Sequence, residues 1–271
     1  MNLTCADIAK YIEGFANKDI ALEWDNVGLM LGSFKKKIST VMACIDVTTE
    51  VVDEAIKNKV DLIVSHHPLF FKSLKRLISD EAKGRIVYKL IKNDIAVYSA
   101  HTNLDITAGG INDLLAEIIG LTESENLVNV KGEKLKEAVG GNVYGLGRTG
   151  ELKDELDIEE FVDLVKTKLN VKNLRLIACD DKKIKRVAVF CGGFDENLIQ
   201  TIKGGVDILV TGDIRYHTAL ILKEEGISTI DAGHFSTEFI MVPKLIEMIS
   251  KKFPELKIIS NRIEEDPFIF Y

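Results

Sequence analysis

Short apolar runs alternate with stretches of helical spacing along most of the chain. Val41 to Ile45, Leu62 to Ser65 and Ala96 to Ser99 read as strands. The spacings of Ala6 to Phe15, Glu50 to Lys57, Val87 to Ile91 and Leu114 to Ile119 predict helices. The second half repeats the order. Asp157 to Leu169 is an amphipathic helix, Val187 to Phe190 a strand, Leu198 to Ile202 a helix, Ile208 to Thr211 a strand and Phe239 to Ile249 a long helix. Alternating strands and helices predict an α/β fold.

The repetition extends to residue identity. Shifting the first half by 146 positions lays Val41 on Val187, Glu50 on Glu196 and Ile56-Lys57 on Ile202-Lys203. VDLIVSHH (Val60–His67) then aligns without a gap on VDILVTGD (Val206–Asp213). With a different offset, His101-x-x-x-Asp105 matches His234-x-x-x-Glu238, and each follows a short apolar strand. The expected organisation is two related α/β lobes from an internal duplication, residues 1–125 and 126–271. Their junction falls near the polar stretch Glu123 to Gly132. With only four prolines and no low-complexity linker, the lobes are expected to pack closely, with a site in the cleft between them. The strand Leu256 to Ser260 fits either lobe.

Composition narrows the partners. The chain has 271 residues, 46% of them hydrophobic and 28% charged, a globular composition. Its net charge of −7 disfavours nucleic acid, which needs a basic face. No apolar run approaches the ~18 residues of a membrane span, and the start MNLTCADIAKY has no basic-then-apolar leader pattern. The expected compartment is the cytoplasm, with no membrane partner. Cys5, Cys44, Cys179 and Cys191 show no C-x-x-C spacing, so neither disulfides nor a thiolate metal site is expected. Nucleotide-binding and nucleophile-elbow glycine motifs are absent. The pairs Gly140-Gly141, Gly192-Gly193 and Gly204-Gly205 read as turns, Gly192-Gly193 being the best placed for a close backbone approach.

The five histidines carry the chemistry. His66, His67, His101 and His234 each follow an expected strand, at the edge where α/β folds place ligands. His217 alone reads as a surface or hydrogen-bonded core residue. His66 and His67 are adjacent, and Pro68 biases His67 toward extended backbone, which predicts imidazoles that diverge and serve two ions side by side. A four-residue spacing sets His234 and Glu238 on one helix face. His101 and Asp105 share that spacing, although Gly109-Gly110 leaves helix and loop both open there. Four imidazoles and two carboxylates without a thiolate suit two divalent ions such as zinc, iron or manganese.

These residues sit in motifs that resemble a known family. WDNVGL (Trp24–Leu29), SHHPLFF (Ser65–Phe71), HTNLD (His101–Asp105), TGDIRYH (Thr211–His217), GHFSTE (Gly233–Glu238) and DPF (Asp266–Phe268) resemble the Nif-three-like family. Its members are known as GTP cyclohydrolase 1 type 2 homologues or dinuclear metal centre proteins. The resemblance covers essentially the whole chain, in the family's short form. It implies two α/β lobes with a two-metal site between them. His66 and His67 would each bind one ion, Asp105 one and His234 the other, with Glu238 bridging. His101 would be a further ligand or a close neighbour, and His217 a residue lining the site. A homohexamer, a trimer of dimers, is implied as well.

The reading that follows is a metal-dependent hydrolase of a nucleotide or related heterocycle, with His101 and His217 as candidate proton carriers. The cyclohydrolase label implies opening of the guanine imidazole ring of GTP. A metal-loaded binding or regulatory scaffold without turnover is the alternative, and redox chemistry at a di-iron pair a third.

Overall fold

A computed structural model describes residues 3–130, 144–260 and 263–270. Gly140-Gly141 and the end of the expected junction lie outside the described residues. The chain is a mixed α/β protein with two sheets, and it divides into two compact units. The first comprises residues 1–104 and 242–265, the second 105–241 and 266–271.

In the first unit, α1 (Cys5–Phe15) starts at a capping box in which Thr4 and Asp7 satisfy each other's backbone N–H groups. Strands β1 (Gly28–Leu31) and β2 (Thr40–Cys44) follow. Then come α2 (Thr49–Lys57), β3 (Leu62–Ser65), α3 (Ala82–Lys92) and β4 (Ala96–Ser99). Thr48 caps α2 by accepting from the Val51 N–H at 3.2 Å. The sheet order is β1-β4-β3-β2, and β11 (Lys257–Ile259) pairs parallel with β2 at the far edge, which places the strand the sequence left open. β2, β3 and β4 run parallel, and every one of their residues is buried. That burial on both faces is why they read as unbroken apolar runs. Met42, Ile63 and Val97 from the sheet meet Val52, Val87 and Leu90 from α2 and α3 in one core.

α4 (Thr102–Ile106) carries the chain from Leu104, the last residue of the first stretch, to Asp105, the first of the second. The second unit then continues with α5 (Ile111–Ile119), β5 (Thr122–Asn129), β6 (Gly145–Leu156) and α6 (Ile158–Leu169). After these come β7 (Arg175–Ile177), β8 (Ile184–Gly193), α7 (Ile199–Ile202) and β9 (Ile208–Gly212). It closes with α8 (Tyr216–Glu224), β10 (Ser228–Asp231) and α9 (His234–Phe239). The sheet order is β5-β6-β8-β9-β10-β7, with β8, β9 and β10 parallel and the outer strands antiparallel. Val41 pairs with Leu62 in the first sheet, and Val187 with Ile208 in the second, each partner lying 146 positions further along.

Two elements differ from what the sequence predicts. The polar stretch after Glu123 is largely strand: β5 pairs antiparallel with β6, its side chains half or fully exposed. An exposed strand has no apolar run to announce it. The long helix expected over Phe239 to Ile249 is α10 (Met241–Lys252), which begins two residues later, because α9 ends at Phe239 and Ile240 separates the two. Pro243 has no N–H to give the Phe239 carbonyl and is tolerated only in a first turn, so α10 starts afresh.

Candidate metal centre

In the first unit the backbone ladder runs beyond the strand ends. His66 N–H donates to the Cys44 carbonyl at 2.9 Å, His67 N–H to Ile45 at 2.8 Å and Ala100 N–H to Ser65 at 2.9 Å. The buried Ser65 hydroxyl bonds Ser99 Oγ at 2.8 Å and the His67 carbonyl at 2.9 Å, fixing the bend in which both histidines sit. His66, His67 and His101 converge there. One ligand atom from each lies within 4.8 Å of the others, and the ring centroids are 5.0 to 5.5 Å apart. The divergence expected for His66 and His67 is not what the structure has. The chain bends at both residues, so the alternation of extended backbone does not apply, and the rings lie side by side at 40°.

Each ring has its Nδ1 on an oxygen 2.9 Å away: His66 on the Ala100 carbonyl, His67 on Asp46 and His101 on Asp25. Carbonyl and carboxylate oxygens only accept, so Nδ1 carries a proton and Nε2 is directed elsewhere. Asp25 also accepts from the Thr102 N–H at 3.0 Å and from its hydroxyl. Burial raises the pKa of Asp25, but the hydrogen bonds from His101 and Thr102 outweigh it and bring the value down to about 2. Asp46 is set in turn by Glu264, whose carboxylate accepts from the Ile45 and Asp46 N–H groups at 3.0 and 2.5 Å. Burial pushes the Glu264 pKa up against those hydrogen bonds.

In the second unit Asp105 and Glu238 stand beside Cys191. The Cys191 thiol donates to Asp105 Oδ1 at 3.4 Å. Burial first, and then the charges of Asp105 and Glu238, push that thiol far above its ordinary value. His234 and Glu238 share one face of α9, with Nε2 and Oε1 3.1 Å apart. His234 Nδ1 is on Asp213 Oδ2 at 2.9 Å, the arrangement seen at the other three rings. Asp213 adopts φ 52°, a left-handed conformation uncommon outside glycine, at the end of β9. Gly192 is the second special position. It has φ 65°, and a Cβ there would come within 2.3 Å of Glu238 Oε1 and 3.3 Å of His234 Nε2. A side chain there would push that carboxylate aside. Asn112, fully buried, ties the parts together by donating to the Asp105 carbonyl and accepting from the Cys191 N–H, each at 3.0 Å.

The donor set fits a divalent cation. Four imidazoles are oriented through Nδ1 by oxygen acceptors, the outer support that metal-ligating histidines almost always have. With its Nδ1 proton donated to Asp213, His234 presents Nε2 to a carboxylate, and a proton or a metal ion must lie between two such acceptors. Asp105 and Glu238 are buried, which carboxylates rarely are unless a cation or hydrogen-bond donors compensate them. Cys44 and Cys191 are buried, free thiols. His217 is exposed on the first turn of α8, with its ring edge-on to Tyr216 at 5.4 Å. Asp25, Asp46, Asp213 and Glu264 were not singled out from the sequence. Asp46 and Asp213 could have been, because each follows an apolar strand at the same edge as the histidines.

Fold and donor set together define an α/β protein with clustered histidine and acidic groups able to hold a metal ion. The chain belongs to the Duf34/NIF3 (NGG1p interacting factor 3) family, whose model matches residues 3–267. It is 36% identical, over the full length of both chains, to the GTP cyclohydrolase 1 type 2 homolog of Clostridium acetobutylicum. The protein of the same name from Bacillus subtilis is 30% identical, with 97% of each chain covered. Among solved structures, the Bacillus cereus protein related to NIF3 superposes with a TM-score of 0.91 at 29% identity, covering 99% of both chains. Reduced HcgD from Methanocaldococcus jannaschii does so with a TM-score of 0.83 at 32% identity, covering 97% of this chain and 99% of that one. Among the described residues no helix is long and apolar enough to cross a membrane.

Proposed function

We propose that this protein is a metal-dependent hydrolase acting on a nucleotide or related heterocycle. Its cofactor would be two divalent ions per chain, zinc, iron or manganese. His66 and His67 would each hold one ion, Asp105 one and His234 the other, with Glu238 available to both. The observation that carries the metal assignment is the common state of four histidines, each with Nδ1 held by an oxygen at 2.9 Å and Nε2 directed away from it. Bound ions of this kind supply Lewis acidity and a water of lowered pKa.

The remaining work falls to side chains. Asp46, Asp213 and the Ala100 carbonyl hold three of the rings in one tautomer. Asp25 holds His101, which with Nδ1 occupied can take or release a proton at Nε2. His217 is the second candidate for proton transfer, from the exposed start of α8. The relatives' cyclohydrolase name supports a heterocyclic substrate and suggests GTP as the first to try. The duplication and a homohexameric assembly belong to the same proposal, the first supported by the matching strand pairings.

The test is incubation of metal-loaded protein with GTP and related nucleotides, following ring opening by ultraviolet spectrum, with Glu238→Gln alongside. Turnover lost in Glu238→Gln while the light-scattering mass is unchanged is the expected result. Full metal loading without turnover of any nucleotide would leave a binding scaffold instead.

A further inference from the structure

We propose that Trp24 and Phe71 form an aromatic wall on which a planar heteroaromatic ring of the substrate stacks, with its edge beside His101. Trp24 is 57% and Phe71 50% exposed, so about half of each ring faces solvent. Their centroids are 5.6 Å apart with planes at 48°, and His101 stands edge-on to both, 6.0 Å from Trp24 and 6.2 Å from Phe71. Two surface aromatics meeting at a ring of the histidine cluster form an apolar corner continuous with that cluster. Such exposed apolar surface rimmed by polar groups marks a binding site.

The corner is held rigid by the residues between which Trp24 stands. Asp25 accepts from His101 Nδ1 and from Thr102. Asn26 donates to the Phe70 carbonyl at 2.6 Å, fixing the backbone next to Phe71. Leu22 N–H donates to the Thr102 hydroxyl at 3.0 Å. WDN therefore orients a histidine, pins the neighbouring loop and presents an indole, in three consecutive residues. At 5.6 Å the two rings are too close to sandwich a third, which needs about 7 Å at ordinary carbon–carbon contact. A ligand ring must lie on an open face. Stacking on an aromatic face is tolerant of which base it receives, so the wall recognises a planar heteroaromatic ring as a class.

This inference rests on the heterocycle-hydrolase reading for the identity of the ligand, but its test is separate. Trp24 is the only tryptophan of the chain, so fluorescence excited at the indole edge reports this residue alone. Zinc-loaded protein is titrated with guanosine 5′-monophosphate and, as a control lacking the ring, with ribose 5-phosphate. Saturable quenching by the nucleotide and none by the sugar phosphate is expected, with Kd raised on the order of tenfold in Phe71→Leu, which keeps an apolar side chain and removes the ring. Trp24→Ala, followed by equilibrium dialysis, should weaken binding to a similar degree. Equal responses to the two ligands, or an unchanged Kd in Phe71→Leu, would overturn the wall. So would a change of oligomeric mass in Trp24→Ala, which would assign the corner to a contact between copies. Quenching without turnover of any nucleotide leaves the wall standing and removes the hydrolase. Turnover with an unaltered KM in both variants does the reverse.

Discussion

The two sheets share a frame and differ in what they place on it. In each, three parallel strands run side by side, an antiparallel strand flanks the last, and a histidine follows that last strand: His101 after β4, His234 after β10. In each, an aspartate following one strand holds a histidine that follows the next, Asp46 with His67 and Asp213 with His234. Yet the first unit gathers three imidazoles, and the second holds one imidazole and the buried carboxylates Asp105 and Glu238. One backbone plan thus supplies imidazole donors in one place and carboxylate donors in another. The free edges differ too. β11 completes the first sheet, whereas the second is extended by β6 and the exposed β5, with the buried Arg148 of β6 gripping Asp113 at 2.5 and 2.8 Å.

The largest effect should come from that ion pair, which has no buried arginine counterpart among the described residues of the first unit. Asp113→Ala leaves a buried guanidinium uncompensated and should cost about 3 kcal/mol of stability, read as a lower urea midpoint. Next, Gly192→Ala drives a methyl into Glu238 and should weaken metal binding on the order of 100-fold, measured by competition with a chromophoric chelator. Gly193→Ala, whose Cβ would meet nothing nearer than 3.7 Å, should leave metal binding unchanged. Asp46→Asn and Asp213→Asn each neutralise the partner of one histidine. If the two frames work alike, both should lose metal affinity by a similar factor, roughly tenfold. A loss confined to one would break the likeness. The smallest effect concerns Asp25. Its folded pKa of about 2 lies below the ordinary 3.8, so it stabilises the fold above pH 4 and loses that contribution as pH falls toward 2. The denaturation midpoints of the wild type and Asp25→Asn should therefore converge over that window.

Much of this arrangement is legible in the chain itself. β2, β3, β4, β8 and β9 stand out because parallel strands buried on both faces need runs of apolar residues, whereas β10 has Ile230 alone among Ser228, Thr229 and Asp231. α6 stands out through Asp157 and Glu160, whose reciprocal capping marks its start. β5 does not, because Glu123, Ser124 and Glu125 face solvent and carry no alternation. The break at Ile240 hides in a run of apolar residues and turns on a single missing N–H at Pro243. Of the site, the histidines are visible as strand-end residues. Their acceptors are not, since Asp25 lies far along the chain from His101 and Glu264 from Asp46, and only folding joins them. The crowding that a side chain at Gly192 would meet is likewise with Glu238, far along the sequence.

The most direct test of the metal assignment is elemental analysis of gently purified protein, with His66→Ala and Glu238→Gln prepared beside it. Two transition-metal ions per chain in the wild type, reduced in both variants while their circular dichroism is unchanged, is the expected result. Wild-type protein that carries no metal and takes up none from zinc, iron or manganese salts would contradict it, and the oriented histidines would then be hydrogen-bonded packing alone.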